Sequence, residues 1–309
     1  MLSEGLHTIQ QLGEADLRSI IDRSLDLRGG ASPRVYRSKT LALMFFESST
    51  RTRVSFEMAA KKLGASVVVF DSKNSSLAKG ETLKDTISTI SSYCPDAIVI
   101  RSSFGGASIL AQRWSNSAVI NAGDGAHQHP TQALLDLVTL VSHFGSIDAL
   151  AGKKIAIVGD ISHSRVARSL VSLLSKVGSK VVLVGPRDLV PWQFEGESVE
   201  ITDSFDSVVP KVDIFYMLRV QRERIRGDSV IHDQEYASKF SLTKERFSKG
   251  SNGAMIMHPG PVFPGMEVDS DLAESQRSLI REQTRNSIFT RMAVLEAVFE
   301  ANSNTKGEA

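Results

Sequence analysis

Short β-branched runs alternate with amphipathic segments along most of this chain. Runs at Leu41–Phe46, Ser66–Phe70, Ala97–Arg101, Ala118–Asn121, Lys154–Val158, Lys180–Val184, Asp213–Leu218 and Ala254–Met257 predict strands. Helical periodicity follows most of them, as at Arg53–Leu63, Thr82–Tyr93, Thr131–Phe144 and Val166–Val177. Such alternation predicts an α/β protein with mostly parallel sheets flanked by helices. Gly64, Gly145 and Gly178 stand where helices should stop, and Pro130 suits a first helical turn. The segment Phe144–Lys154 reads as a link between two lobes. A long amphipathic run, Ser275–Phe299, is expected to pack back on the first lobe, and the tail after it to fray.

Length and composition narrow the class. The 309 residues suit two lobes better than one small core. With 36 basic and 35 acidic side chains, the formal net charge is +1, which gives no electrostatic reason to expect nucleic acid or a membrane as partner. Cys94 is the one cysteine, so no intrachain disulfide can form, which fits a reducing, cytoplasmic setting. The first ten residues lack a basic segment followed by an apolar run.

Polar residues cluster after the predicted strands. In doubly wound sheets ligands sit beyond the carboxyl ends of the strands, so these groups are expected to face one cleft between the lobes. Ser49-Thr50-Arg51-Thr52 lie at a helix start, where free N–H groups, the helix dipole and a guanidinium together suit phosphate. Taken alone, the turn reads more readily as an ordinary Ser/Thr helix cap with solvated arginines. No G-x-x-x-x-G-K-[ST] loop occurs. The stretch Asn74–Thr82 offers Ser76 and Lys79 to an anion, and alone reads as a solvated loop. His129 and Gln132 lie three residues apart at another helix start and can point into the same space. His127 and His129 lack a nearby third ligand for a metal. Arg165 follows a turn without the dinucleotide glycine spacing, and suits a carboxylate. Arg219, at the end of a buried run, needs a carboxylate from the protein or from a substrate. The turn His258–Pro261 is stiffened by two prolines and offers carbonyls to an amine.

FFESSTRTRVSFE, KGETLKDT, DGAHQHPTQALLDL, GDISHSRVARSL, RVQRER and MHPGP, in this order, resemble the aspartate branch of the aspartate/ornithine transcarbamoylase family. The resemblance runs from about Leu41 to Phe299. The HCLP and SMG motifs typical of the ornithine branch are absent. Ser48, Ser102 and Pro264 depart from the proline, histidine and arginine common at those places. The resemblance implies transfer of the carbamoyl group of carbamoyl phosphate to L-aspartate, in pyrimidine biosynthesis, without metal or organic cofactor. It implies a carbamoyl phosphate domain over 1–145, with 284–302 packed back on it, and an aspartate domain over 146–283. By the same resemblance Ser49, Thr50, Arg51 and Thr52 bind the phosphate, and Arg101 reaches phosphate and carbonyl. His129 polarises the carbonyl, and Gln132 holds the carbamoyl nitrogen. Arg165 and Arg219 clamp the aspartate carboxylates, with Gln221 beside the latter. Pro259 and Gly260 lie near the amine. Ser76 and Lys79 come from a neighbouring subunit of a homotrimer with shared sites. Whether regulatory chains or a dihydroorotase associate stays open, as does ornithine as acceptor.

Overall fold

The computed structural model of the chain describes residues 2–71, 80–196, 198–221, 233–263 and 265–306. Ser76, Lys79 and Pro264 lie outside the described residues. The chain divides into two compact units, 1–138 with 284–309, and 139–283.

The first unit is built on five parallel strands: β1 (Gly5–Leu6), β2 (Thr40–Phe45), β3 (Ser66–Asp71), β4 (Ala97–Ser102) and β5 (Ala118–Asp124). Their spatial order is β1-β5-β4-β2-β3. Helices α1 (Glu14–Arg28), α2 (Thr50–Lys62), α3 (Leu83–Ser92) and α4 (Ala107–Arg113) belong to this unit. Strands β2, β4 and β5 are buried almost throughout, as expected where a parallel sheet is covered on both faces. Ala42, Met44, Ile98, Ile100 and Val119 from these strands pack with Ile87 of α3 and Ala111 of α4.

The second unit repeats the plan with β6 (Lys154–Val158), β7 (Lys180–Val184), β8 (Val199–Thr202), β9 (Ile214–Met217) and β10 (Met255–Met257), again all parallel. The order is β10-β9-β6-β7-β8. Its helices are α6 (Arg165–Lys176), α7 (Phe205–Val208), α8 (Asp233–Phe240), α9 (Lys244–Ser248) and α10 (Ser270–Ala273). The division between units falls inside α5 (Pro130–Phe144) and α11 (Ile280–Lys306).

Gly64, Gly145 and Gly178 take φ of 74°, 95° and 73°, the left-handed stops that the pattern predicts. Two strands escape the pattern. β1 has two residues, too few for a period, and exists because it pairs with β5 more than a hundred residues away. β8 is a partly exposed edge strand. The tail expected to fray is helical as far as Lys306, where α11 ends, and Asn302 Nδ2 donates to the Asp96 carbonyl at 3.0 Å; residues 307–309 lie outside the described residues.

Each sheet has one place where successive connections leave in opposite directions. In the first unit β2 leads outward to β3, and the chain returns to the other side of β2 as β4. In the second, β6 leads to β7 and β8, and the chain returns beside β6 as β9. Crevices open at the carboxyl ends of strands at such switch points.

Candidate active site

In the first unit the switch point brings three segments side by side. Phe45 at the end of β2 is in register with Arg101 of β4, and Ser102 with Asp124 of β5. The chain leaving β2 caps α2 with Ser49, in extended conformation, so Thr50, Arg51, Thr52 and Arg53 form the first helical turn. Arg51 and Arg53 are exposed, and Thr52 is buried. Arg101 is half-buried; its Nη1 donates to the Ala122 carbonyl at 3.1 Å, and its Nε lies 3.4 Å from Glu47. These contacts fix the guanidinium at the mouth of the strands.

His129 immediately precedes Pro130, which opens α5. Both His129 and Gln132 are buried, at 4% and 9% exposure. Gln132 Nε2 donates to Asp136 at 3.0 Å, which sets the amide orientation and leaves its oxygen as the remaining acceptor. The turn carrying His129 is held by Asp124, a buried carboxylate. It accepts from the backbone N–H groups of Gly106 (2.7 Å) and Gln128 (3.0 Å) and from Asn121 Nδ2 (3.0 Å). His127 Nδ1 lies 3.1 Å from the same carboxylate, so it is a structural partner there. Among the described residues no group of three or more His, Cys, Asp or Glu could hold a metal.

In the second unit Gly159 follows β6 with φ +132°, and a Cβ there would meet the Leu218 carbonyl at 2.8 Å. The glycine lets the ends of β6 and β9 approach closely. Beyond it Ser164 caps α6, accepting from Ala167 N–H at 3.1 Å, and Arg165 is the first helical residue, only 3% exposed. Arg219 and Gln221 follow β9, with Arg219 Nη2 3.4 Å from Gln221 Oε1. Asp160, fully buried, ties the two loops together. It accepts from Gln221 N–H (3.1 Å) and His163 N–H (3.1 Å), and lies 2.9 Å from His163 Nδ1. The Arg219 guanidinium stands over the Phe263 ring at 5.5 Å, and Phe263 N–H donates to Glu267 at 2.7 Å. Burial pushes the Glu267 carboxyl up to about 7, opposed by the Phe263 N–H and by Arg219. After β10, His258 Nδ1 accepts from Gly260 N–H at 2.8 Å, and the Gly260–Pro261 peptide is cis. That turn leaves Pro259 and Gly260 half-buried.

The charge pattern of the helix starts separates these segments from the rest. Helices α1, α3, α7, α9, α10 and α11 carry Asp or Glu in the first turn, the usual complement to the positive dipole end. Helices α2, α4, α5 and α6 carry none; at α4 the Asp124 carboxylate takes that place, accepting from the Gly106 cap N–H, whereas α2 and α6 place arginines there. Three helix starts are therefore left to draw an anion.

The first unit thus gathers Ser49, Thr50, Arg51, Thr52, Arg101, His129 and Gln132 at the ends of β2, β4 and β5. The second gathers Arg165, Arg219, Gln221, Pro259 and Gly260 at the ends of β6, β9 and β10. Asp160, Phe263 and Glu267 are additions. Asp160 stands in the quoted GDISHSR segment, and an aspartate directly after a buried strand was the available signal. Nothing local marks Phe263 or Glu267.

The sequence matches the carbamoyl-P binding domain of the aspartate/ornithine carbamoyltransferases over residues 5–142, and their Asp/Orn binding domain over residues 151–298. It is 45% identical over 285 residues to the aspartate carbamoyltransferase catalytic subunit of a Nocardioides species, covering 91% of this chain and 86% of that one. Aspartate transcarbamoylase from Trypanosoma cruzi, in complex with carbamoyl phosphate and aspartate, superposes with a TM-score of 0.86 at 32% identity, over 96% of this chain and 97% of that one. Ornithine carbamoyltransferase from Gloeobacter violaceus gives a TM-score of 0.81 at 26% identity, over 96% and 98%.

Proposed function

The chain belongs to the aspartate/ornithine carbamoyltransferase family, and from that premise we infer that it transfers the carbamoyl group of carbamoyl phosphate to the amino group of L-aspartate. The products are N-carbamoyl-L-aspartate and phosphate, in the de novo route to pyrimidines. The observation that carries the site assignment is the register of Phe45 with Arg101, which sets a cation beside the acid-free start of α2.

Carbamoyl phosphate is a mixed anhydride with a dianionic leaving group. The amine attacks the carbonyl carbon, an oxyanion forms, and the C–O bond to phosphate breaks. Ser49, Thr50, Arg51 and Thr52 bind the phosphate with side chains and the free N–H groups of the α2 start. Arg101 and His129 donate to the developing oxyanion, and Arg101 also reaches the phosphate. Gln132, its nitrogen committed to Asp136, accepts from the carbamoyl –NH2. Donors held in place before reaction need no reorganisation as charge develops.

Arg165 takes the α-carboxylate of aspartate, and Arg219 with Gln221 the β-carboxylate. Two guanidiniums select a dicarboxylate and align its amine; ornithine would bring an ammonium to Arg219. The carbonyls of Pro259 and Gly260 accept from the attacking amine, whose proton passes to phosphate as the C–O bond breaks. Residues 1–145, with 284–302 packed back on them, form the carbamoyl phosphate domain, and 146–283 the aspartate domain.

The working unit is a homotrimer in which Ser76 and Lys79 reach a neighbour's site. In support, β3 is an edge strand with Val68 and Val69 exposed, and α2 exposes Val54 and Met58 four residues apart on one face. A cytoplasmic setting accords with Cys94 as the one cysteine.

The test is a product assay with carbamoyl phosphate and either aspartate or ornithine. Carbamoyl aspartate and phosphate in equal amounts are expected. Citrulline formation, or no turnover with either acceptor, would overturn the reading.

A further inference from the structure

Arg291 lies in the part of α11 that belongs to the first unit, and is the largest fully buried side chain there, at 2% exposure. Its place in the helix is one that an apolar residue would be expected to fill. Val294, Leu295 and Val298, at i+3, i+4 and i+7, are all fully buried. Among the described residues no carboxylate lies at ion-pair distance from it, and its Nε has no hydrogen-bond partner. An unpaired guanidinium in a core is costly, because desolvation is not repaid by a counter-charge.

Apart from a 3.5 Å bond from Nη1 to the Ser287 carbonyl of its own helix, its contacts fall on α2. Nη1 donates to Ser55 Oγ, and the guanidinium stands over the Phe56 ring at 4.9 Å. Ser55 Oγ lies 2.7 Å from the Arg51 carbonyl and 3.0 Å from the Thr52 carbonyl. Arg291 is therefore one hydroxyl away from the backbone of the turn that carries Arg51 and Thr52. Burial weighs most against its charged form, Arg101 opposes that form further, and Asp136 favours it. The α2 start adds the positive end of a helix dipole with no acid in its first turn.

We propose that Arg291 is a positioning residue of the carbamoyl phosphate half-site: it fixes the first turn of α2 through Ser55, and supplies a buried positive charge whose missing counter-ion is the bound phosphate group. This rests on the assignment of that turn to phosphate. The dianion relieves repulsion among Arg291, Arg101 and the helix start, so the arginine destabilises the empty state and favours the filled one. A buried arginine with only a packing role would contribute equally to both.

The test uses the full-length protein, with inorganic phosphate as probe, and compares Arg291→Met with Arg291→Lys. Wild type is expected to melt higher in phosphate. Arg291→Met should melt at or above wild type without phosphate and gain little from it, as replacement of buried charge by an apolar side chain often does. Its KM for carbamoyl phosphate should rise about tenfold, the size of one lost charge at partly screened range, with KM for aspartate within about twofold. Arg291→Lys keeps the charge and should recover part of the phosphate response. If Arg291→Met melts lower by the same amount with and without phosphate, or keeps wild-type KM values, the proposal is wrong. If Arg291→Met does not fold, Ser55→Ala decides: a KM for carbamoyl phosphate raised a few-fold supports the link, and an unchanged one overturns it. Failure of the functional reading looks different, since wild type itself would then show neither phosphate response nor turnover.

Discussion

The two switch points differ in what surrounds their arginines, although a buried aspartate, Asp124 in the first unit and Asp160 in the second, braces a loop at each. At the β2/β4 switch the positive groups stand on an acid-free helix start, with Glu47 3.4 Å from Arg101. At the β6/β9 switch acids hold the frame. Asp160 clamps Gln221, and Glu267 anchors the backbone of Phe263, on whose ring Arg219 rests. The difference follows the proposed ligands. A phosphate dianion is best met by many donors and the positive end of a helix dipole. A dicarboxylate needs two forks at a fixed separation, and fixed separation requires partners that position the forks.

The largest expected effect breaks the first arrangement. Arg51→Ala should lower kcat/KM for carbamoyl phosphate by about 10²–10³, the usual cost of one lost transition-state donor. The fold should survive, because Arg51 is exposed. Steady-state kinetics with a circular-dichroism control checks both; near-normal turnover would remove Arg51 from the site.

A smaller effect breaks the second arrangement. Asp160→Asn replaces one acceptor oxygen by a donor, so either the Gln221 or the His163 contact is lost. KM for aspartate should rise about tenfold, the scale of a buried hydrogen bond to a charged group. KM for carbamoyl phosphate should stay near wild type. Equal changes in both constants would mean that the two half-sites are not separately framed.

The smallest effect sharpens the comparison. Glu267 titrates near 7 in the fold against 4.5 when unfolded, so the native state binds the extra proton between those values. Its contribution to stability is whole below about 4.5 and is lost as pH rises toward 7. Glu267→Gln should therefore compare better with wild type at pH 8 than at pH 5, by a few degrees in melting temperature for a single coupled proton. A difference independent of pH would show that Glu267 is ionised throughout.

What the sequence made legible was local. The bounds of β6 and β7 coincide with the apolar runs, because a buried parallel strand is one uninterrupted stretch. The helix start at Ser49 was legible as a cap followed by a period. What escaped depends on contacts far apart in the chain. Two-residue β1 exists through pairing with Val119 and Ile120, and the partner of Arg291 is 236 positions away. Asp160 was visible as a residue type, but its partner Gln221 lies 61 positions on. The boundary between units runs through two continuous helices, where composition gives no signal.

The course of α11 also bears on synthesis. The second unit is an insertion in the first, since the chain leaves after Val138 and comes back at Thr284. Arg23 meets Glu296 at 2.6 Å and Tyr36 meets Glu300 at 3.0 Å, so the opening segment finds its ion-pair and hydrogen-bond partners in the last helix. On the ribosome the later unit can close first, while the earlier one waits, its strands translated but its last helix still in the exit tunnel. A nascent chain arrested before residue 284 would expose the unfinished half to chaperones and proteases, although most of its sequence had already been made.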